Sequence, residues 1–375
     1  MKKILFITGT RADFGKIKTL ILKLEKSKKF KVYLVITGMH LLSKYGSTVI
    51  EVKESFPKVK KFIFKNQIKS ETQDLIIART ISKSSKILKK VKPDLVFVHG
   101  DRVETMAMTL AASLNNILVA HIEGGEVSGT IDEHIRHSVS KLSHIHFVSN
   151  KKAASRIERL GEFKKTIHIV GSPDYDLMFS NSLPSLSMVK RKYAIEFNKY
   201  AISILHPVTT ELKLLSINAK IYFDSLKKIK KNFIIIYPNN DPGSDIIINK
   251  FKKLKKMKNF RILKSMRFEY FLTLLKNCNF IIGNSSAGIR EAPAYGIKTI
   301  NVGSRQNGRV SNKIIKTIKF SETSLINNCL KKVEKNKRKI KIFGNGKSAE
   351  KIFKIISKKN FWSTPIQKKL NFFYN

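Results

Sequence analysis

The chain alternates short apolar runs with longer amphipathic segments, and the alternation occurs in both halves. The apolar runs span residues 4–7, 32–36, 95–98, 117–120, 145–148 and 167–170, then 201–205, 233–237, 260–263, 280–282 and 299–302. Runs this short, separated by helical patterns, are typical of buried parallel strands in βαβ units. The pattern therefore predicts the α/β class, with a doubly wound, Rossmann-like domain in each half.

A turn-rich break, residues 181–185 (Asn-Ser-Leu-Pro-Ser), separates the two halves. The length of 375 residues suits two domains, at about 100–200 residues each. We therefore predict a first domain over residues 1–180 and a second over 181–350. We expect the remaining segment, 351–375, to pack back on the first domain.

The charge balance is strongly basic, with 73 Lys and Arg against 27 Asp and Glu and a formal net charge of +46. Such a balance raises the alternative of a nucleic-acid-binding protein. However, the lysines are spread along the chain and interleaved with apolar residues, as on the solvated faces of ordinary helices and strands. We therefore expect no specific nucleic-acid partner, although the charge favours an anionic substrate such as a diphosphate.

Cysteine and hydrophobicity patterns bear on the compartment. The two cysteines, Cys278 and Cys329, are far apart in the chain, which excludes a disulfide framework and a cysteine-based zinc site. The apolar run at the N-terminus is too short for a signal peptide, and no run approaches a membrane span. We expect a cytoplasmic protein without a membrane partner.

In a doubly wound fold, ligands bind at the carboxyl ends of the strands, so the residues after each strand matter most. The first strand is followed by residues 9–15 (Gly-Thr-Arg-Ala-Asp-Phe-Gly), which open a helix and place Arg11 where an anion could bind. The glycine spacing is not the dinucleotide fingerprint, and a plain strand–helix turn is an alternative. Residues 99–102 (His-Gly-Asp-Arg) follow a later strand, where a local Asp101–Arg102 ion pair is the structural alternative.

The next strand leads into an acidic segment. Residues 121–137 (His-Ile-Glu-Gly-Gly-Glu-Val-Ser-Gly-Thr-Ile-Asp-Glu-His-Ile-Arg-His) hold four carboxylates, three histidines and one arginine. The two-residue period of a strand would put His121 and Glu123 on one side of the chain, and Gly124 and Gly125 would allow a sharp turn. This density of titratable groups on two adjacent strand ends indicates an active site. No tight metal-ligand spacing is evident, so we predict no metal.

The second half offers groups that suit a nucleotide. His206 and Asn239 follow its first two strands, and Ser285 and Ser286 lie where a loop opens a helix, an arrangement that suits a diphosphate. A simple helix N-cap is the alternative for these serines. Glu291 follows about a turn and a half later, where it could accept ribose hydroxyls, and Arg305 adds a cation.

Together these motifs resemble the hydrolysing nucleotide-sugar 2-epimerases of sialic-acid and legionaminic-acid pathways. The resemblance runs from Lys3 to about Gly346 and is most specific at residues 121–133. It implies the glycosyltransferase-B fold, in which two Rossmann-like domains face a cleft. It also implies a reaction without a cofactor: UDP-N-acetylglucosamine loses its diphosphate and its C2 proton in an anti elimination. Water then adds to the glycal, giving N-acetylmannosamine and UDP.

The resemblance carries residue roles as well. It implies an acid/base set, a sugar-contacting set and a nucleotide-binding set, and we expect a homodimer or homotetramer. The acid/base residues are Asp101, Glu123 and Asp132, with Glu123 first for the elimination. The sugar-contacting residues are His40, His121, Arg136, His137 and Asp176. The nucleotide-binding residues are Arg11, Arg102, His206, Asn239, Ser285, Ser286, Glu291 and Arg305.

Two alternatives remain open on the sequence. Within the family, the substrate could instead be UDP- or GDP-N,N'-diacetylbacillosamine, which would yield 2,4-diacetamido-2,4,6-trideoxymannose for legionaminic acid. Outside it, a glycosyltransferase of the same fold would transfer the sugar to an acceptor. The acidic segment after Glu123 disfavours this second alternative.

Overall fold

The computed structural model describes residues 1–68, 71–309, 312–331 and 339–371, and these form two compact units. The first comprises Met1–Glu126, Asp132–Ser180 and Phe343–Asn375, and the second Val127–Ile131 and Asn181–Ile342. None of the helices in the described ranges is both long enough and apolar enough to cross a membrane.

Seven parallel strands form the sheet of the first unit, in the order β3-β2-β1-β4-β5-β6-β7. The strands are β1 (Lys2–Thr8), β2 (Phe30–Ile36), β3 (Lys60–Ile63), β4 (Leu95–His99), β5 (Leu118–Ile122), β6 (Ile145–Val148) and β7 (Ile167–Ile169). The helices are α1 (Arg11–Glu25), α2 (Val49–Ser55), α3 (Gln73–Val91), α4 (Val103–Leu114), α5 (Asp132–Leu142), α6 (Lys151–Arg159) and α7 (Pro173–Met178).

Hydrophobic cores lie on both faces of this sheet. Ile4 and Phe6 of β1 belong to a core with residues of α1, whereas Leu5 and Ile7 belong to a core with residues of α3 and α4. Successive side chains of a strand point to opposite faces, so a strand buried on both faces must be apolar throughout. This requirement explains the continuous apolar runs in the sequence.

The second unit has six parallel strands in the order β10-β9-β8-β11-β12-β13. They are β8 (Ala201–Ile204), β9 (Phe233–Ile236), β10 (Phe260–Leu263), β11 (Phe280–Gly283), β12 (Lys298–Val302) and β13 (Ile315–Ile318). The helices are α8 (Leu186–Tyr193), α9 (Leu212–Lys228), α10 (Ser244–Lys252), α11 (Phe268–Asn277), α12 (Glu291–Tyr295) and α13 (Glu322–Leu330). In both sheets the order reverses beside the first strand, as in a Rossmann fold, so the predicted α/β class is confirmed.

Two strands, β3 and β13, do not correspond to any predicted apolar run. Each lies at the edge of its sheet, and none of the eight residues is fully buried. An edge strand covers less apolar surface and often carries lysine, which discourages pairing with another chain. Its sequence therefore lacks the continuous apolar signal of a central strand.

The two units differ from the predicted domains at two places. Val127–Ile131 belong to the second unit, where Gly129 N donates to Arg305 O at 3.2 Å. Residues 343–350, predicted in the second domain, belong to the first, where the last helix α14 (Ser348–Ile356) adds Ile352 and Ile356 to the α1-side core. Apolar pattern alone does not show which sheet a terminal helix covers. The last four residues of the predicted C-terminal segment, 372–375, lie outside the described ranges.

Candidate active site

Glu123 has an unusual backbone conformation directly after β5. Its φ is +66°, a left-handed value that costs a residue with a Cβ about 1 kcal/mol or more. The other described non-glycine residues with positive φ lie at or just after helical turns, where this conformation is common: Ser47, Lys92, Asn116 and Ala194. Strain at a strand end, at the edge where ligands bind in this fold, indicates a functional residue.

The strained backbone changes the direction in which the Glu123 side chain points. His121, two residues earlier, approaches Ser140 of α5, with Nδ1 and Oγ 3.0 Å apart. Glu123 instead faces α1, where Lys16 Nζ lies 3.7 Å from its Oε2. The predicted placement of His121 and Glu123 on one side of the chain is therefore wrong. The positive φ ends the strand alternation at Glu123 and turns its carboxylate to the other side.

A polar cluster surrounds the buried Glu123 carboxylate. The Ser172 hydroxyl donates to Oε1, and His99 Nε2 lies 3.3 Å from Oε2. Lys16 Nζ also lies 3.4 Å from Oδ2 of Asp174, which is fully buried. A buried carboxylate requires such partners, because desolvation of an unpaired charge is costly. The sequence motifs did not identify Lys16, Ser172 or Asp174, which come from α1 and from the start of α7.

Two further predicted acid/base carboxylates, those of Asp101 and Asp132, lie in the same unit. Asp101 follows β4 and forms an ion pair with Arg136 of α5, and Arg136 Nη1 also donates to the carbonyl of Glu126 at 3.1 Å. Asp101 thus pairs across elements, not with its neighbour Arg102 as in the structural alternative. Asp132 is the first residue of α5, one turn before Arg136 and therefore on the same helix face. His137, on the next position of α5, lies 3.4 Å from Glu133.

Two histidines predicted to contact the sugar have other partners. His121 Nε2 lies 2.9 Å from the Gly100 carbonyl and therefore donates to it, so Nδ1 accepts from Ser140. His40 lies between Thr8 and Thr48, at 3.0 and 2.6 Å. Both rings are fully buried with both nitrogens engaged. Through these contacts His121 holds the loop before Asp101, and His40 holds the loop after β1.

Asp176, also predicted to contact the sugar, places its carboxylate at the start of the last helix, α14. Its carboxylate accepts from the backbone N–H groups of Ser348 and Ala349, at 2.7 and 2.6 Å. These are the first two residues of α14, whose N–H groups have no partner within the helix. Asp176 thus caps α14, and a carboxylate there is favoured by the helix dipole.

The buried histidines predict a loss of stability in mild acid. Burial lowers the pKa of His40 from 6.5 to about 4 and that of His121 to about 3. Both therefore bind protons more readily when the chain is unfolded. Their contribution to stability is complete above pH 6.5 and is lost as the pH falls towards the folded pKa values. We expect each to lower the free energy of unfolding by about 1.4 kcal/mol per pH unit between pH 6.5 and 4.5.

Urea unfolding at pH 7, 5.5 and 4.5 measures how the free energy of unfolding depends on pH. In the His121→Asn variant, the slope of this dependence should fall by the equivalent of about one proton. Burial alone would raise the pKa of Glu162, but hydrogen bonds from His146 and Lys368 lower it to about 2, so its own contribution is lost only below pH 4.5. If the pH dependence of unfolding is unchanged in the His121→Asn variant, the lowered pKa of His121 is contradicted.

Two arginines predicted to bind the nucleotide, Arg11 and Arg102, lie in the first unit. Arg11 Nε is 2.6 Å from Glu51, and Arg102 Nε is 3.7 Å from the buried Glu104. The Glu104 carboxyl occupies the space beside Gly9 and Gly38: a Cβ would lie 2.9 Å from its Cδ at Gly9 and 2.5 Å from its Oε1 at Gly38. Glu104, which no sequence motif indicated, thus explains why both loops need glycine.

In the second unit, Asn284 connects the loops that hold the other predicted nucleotide-binding residues. Its side-chain oxygen accepts from His206 N at 2.7 Å, and its amide donates to His206 O at 2.9 Å. His206 Nδ1 accepts from Asn239 N at 3.1 Å, and Arg305 Nη1 donates to the Asn284 carbonyl at 3.3 Å. The loops after β8, β9, β11 and β12 are thus joined at the carboxyl edge of the sheet. Asn284 directly follows β11, but its residue type alone did not indicate this role.

The predicted diphosphate cradle has a shorter helix than expected. Ser285 caps a single 3-10 turn, residues Ser286–Gly288, by accepting from Ala287 N at 3.3 Å. The regular helix α12 begins only at Glu291, which is buried. A single turn has a much smaller dipole than a long helix, so the cradle depends on local N–H and hydroxyl groups.

Comparison with known proteins identifies a family of similar sequences. A family model described as UDP-N-acetylglucosamine 2-epimerase matches residues 22–357. The chain is 48% identical over 316 residues to the UDP-N-acetylglucosamine 2-epimerase of Neisseria meningitidis serogroup B, covering 84% of this chain and 83% of that protein. It is 31% identical over 362 residues to the UDP-N,N'-diacetylbacillosamine 2-epimerase (hydrolyzing) of Legionella pneumophila, covering 95% and 96%.

Solved structures agree at the level of the fold. The Neisseria meningitidis UDP-GlcNAc 2-epimerase bound to UDP-GlcNAc aligns with a TM-score of 0.79 at 20% identity, over 95% of this chain and 99% of that one. The UDP complex of Staphylococcus aureus MnaA aligns with a TM-score of 0.77 at 20% identity, over 99% and 100%. The two parallel sheets are those of the glycosyltransferase-B type. On the family match and the shared sequence, the chain belongs to the UDP-N-acetylglucosamine 2-epimerase family.

Proposed function

We propose that the protein is a hydrolysing 2-epimerase that converts UDP-N-acetylglucosamine to N-acetylmannosamine and UDP. The observation that carries this proposal is the buried, strained Glu123, whose carboxylate lies between Lys16, His99 and Ser172. A relative with matching length is named as hydrolyzing, which supports the hydrolysing branch. We assign the sugar to a biosynthetic route for sialic-acid-type sugars; a relative named polysialic acid biosynthesis protein P7 supports this assignment.

In the first half-reaction, Glu123 takes the C2 proton while the C1–O bond breaks and the diphosphate leaves with the bonding electrons. The product is a glycal with a C1–C2 double bond. A carboxylate is a suitable base because it can be held within hydrogen-bond reach of the proton. The Lys16 ammonium lies near both the Glu123 and the Asp174 carboxylates and stabilises them by charge attraction, and Ser172 fixes the orientation of the Glu123 carboxylate.

In the second half-reaction, water adds at C1 and a proton is delivered to C2. This proton arrives on the face of the glycal opposite to the one from which Glu123 removed the first proton. This step needs a general base for the water and a general acid for C2. We assign Asp101 and Asp132 to these transfers. Arg136 fixes Asp101 through its ion pair, and it lies on the same face of α5 as Asp132.

Nucleotide binding is assigned to the loops that Asn284 joins. Arg305, Ser285 and Ser286 supply the cation and the hydrogen-bond donors for the departing diphosphate. Glu291 is assigned to the ribose hydroxyls, and Asn239 and His206 complete the pocket. Arg11 and Arg102, each beside a carboxylate, are the predicted nucleotide-binding residues of the first unit.

UDP-N-acetylglucosamine is the preferred substrate because the more similar of the two relatives described above is named for it. The second candidate is UDP- or GDP-N,N'-diacetylbacillosamine, which other relatives are named for. One NMR experiment in deuterated water with each nucleotide sugar decides between them. We expect free manno-configured sugar with deuterium at C2, together with released nucleotide, from one of the three.

The outcomes of this assay are distinct. A product that keeps its nucleotide would contradict the hydrolysing assignment. Release of sugar in the absence of any acceptor excludes a glycosyltransferase. Turnover without tight, salt-dependent DNA or RNA binding excludes a nucleic-acid-binding function.

We also propose a cytoplasmic location and a homodimer or homotetramer. Cys278 and Cys329 are both free thiols, which supports a reducing compartment. Light scattering of the purified protein measures its oligomeric state directly.

A further inference from the structure

The C-terminal strap, residues 366–371, binds the first unit through a partly buried ammonium. Lys368 Nζ donates to the carbonyls of Lys141, at 2.6 Å, and Ser143, and to Glu162 Oε2 at 2.8 Å. Its side chain is only 24% exposed. An ammonium has three N–H donors, so each finds one acceptor. The Lys141 carbonyl lies in the last turn of α5, and the Ser143 carbonyl directly follows the helix. A cation is favoured at this end because the last carbonyls of a helix have no partner within it.

Three further contacts hold the strap. His144 Nε2 donates to the Ile366 carbonyl at 3.0 Å, and its Nδ1 accepts from Val119 N of β5 at 3.1 Å. Asn371 N donates to the Gly161 carbonyl at 2.9 Å. Leu370 packs so closely on Gly161 that a Cβ there would lie 2.4 Å from Leu370 Cδ1. The strap is thus attached at both ends and at its centre.

The helix that the strap holds also carries residues of the proposed site. Asp132 begins α5, Arg136 pairs with Asp101, and Ser140 bonds His121. A helix of 11 residues is a rigid rod about 16 Å long, so fixing its C-terminal end restricts the tilt of its N-terminal end. We propose that Lys368 is a positioning residue: it fixes α5, and thereby the Arg136–Asp101 pair and Asp132. The link to turnover rests on the proposed function.

The test compares Lys368→Met with Lys369→Met. Methionine keeps most of the side-chain length and removes the charge, and Lys369 is the exposed neighbour on the same strap. In Lys368→Met we expect the amides of α5 to exchange hydrogen at least tenfold faster and kcat to fall about tenfold, with KM changed by less than twofold. Lys369→Met should match the wild type in all three measurements.

Several outcomes would overturn the proposal. Equal α5 exchange in the two variants would show that Lys368 does not hold the helix. Faster exchange with unchanged kcat would show a purely structural role. If Lys368→Met does not fold, Leu370→Ala loosens the strap without removing the ammonium, and the same two changes are expected at smaller size. If the wild type releases no sugar from any nucleotide sugar, the proposed function fails, and α5 exchange alone decides whether the strap controls this helix.

Discussion

Replacing Glu123 with glutamine is expected to lower kcat by about a hundredfold to ten-thousandfold, the usual contribution of a general acid or base. Glutamine has the same shape and can keep the contact with Ser172, but it cannot accept the C2 proton. Because the backbone conformation at this position is unchanged, the free energy of unfolding should change little, in contrast to the large fall in kcat. Nucleotide release measured at saturating substrate gives kcat, and thermal unfolding reports the integrity of the fold.

The control is Glu133→Gln, on α5 in the same acidic segment. Glu133 is half-exposed and pairs with His137, and we assign it no proton transfer. It should keep near-wild-type turnover. Asp101→Asn and Asp132→Asn are tested in the same assay, and either residue loses its acid/base role if its variant remains fully active. A Glu123→Gln enzyme with more than a tenth of wild-type kcat would remove Glu123 as the base.

Replacing Gly283 with alanine is expected to lower the free energy of unfolding of the second unit by more than about 4 kcal/mol, a loss that few single substitutions cause. Gly283 ends β11 with φ +127°, and a Cβ would lie 1.9 Å from the Ile204 carbonyl oxygen and 2.7 Å from its carbon. These atoms belong to the paired backbone of β8, so no flexible side chain can move aside. Nucleotide binding should be lost as well, because Asn284 follows directly.

Gly308→Ala is the matched control in the same unit. Its φ is +75°, but the nearest atom to a Cβ is Val127 Cγ2 at 3.8 Å, so only backbone strain of about 1 kcal/mol is expected. Urea unfolding of both variants separates the steric effect from the strain. Equal midpoints would show that the backbone around Ile204 relaxes around the added methyl group.

The central strands were predictable because burial on both faces favours apolar residues along nearly the whole strand. β4 and β5 therefore follow from sequence, whereas the half-exposed edge strands β3 and β13 do not. The residue types after the strands also indicated an acid/base site, and Asp101, Glu123 and Asp132 remain its proposed members. The positive φ at Glu123 was not predictable, because Gly124 and Gly125 are the residues that usually take such values. Gly124 instead allows close approach, since a Cβ there would lie 2.8 Å from Ser140 Oγ.

The sequence by itself thus determined the α/β class, the strand ends that carry chemistry and the types of group found there. These features depend on local pattern: the period of side chains along a strand and the position of polar residues after it. Only the tertiary structure decided which partners those groups take. Lys16 and Ser172 contact Glu123, Arg136 contacts Asp101, Asn284 bonds to His206 and Arg305, and Lys368 contacts the end of α5. Each of these contacts joins elements far apart in the chain, and the packing of helices on the sheets, not local spacing, sets their distances.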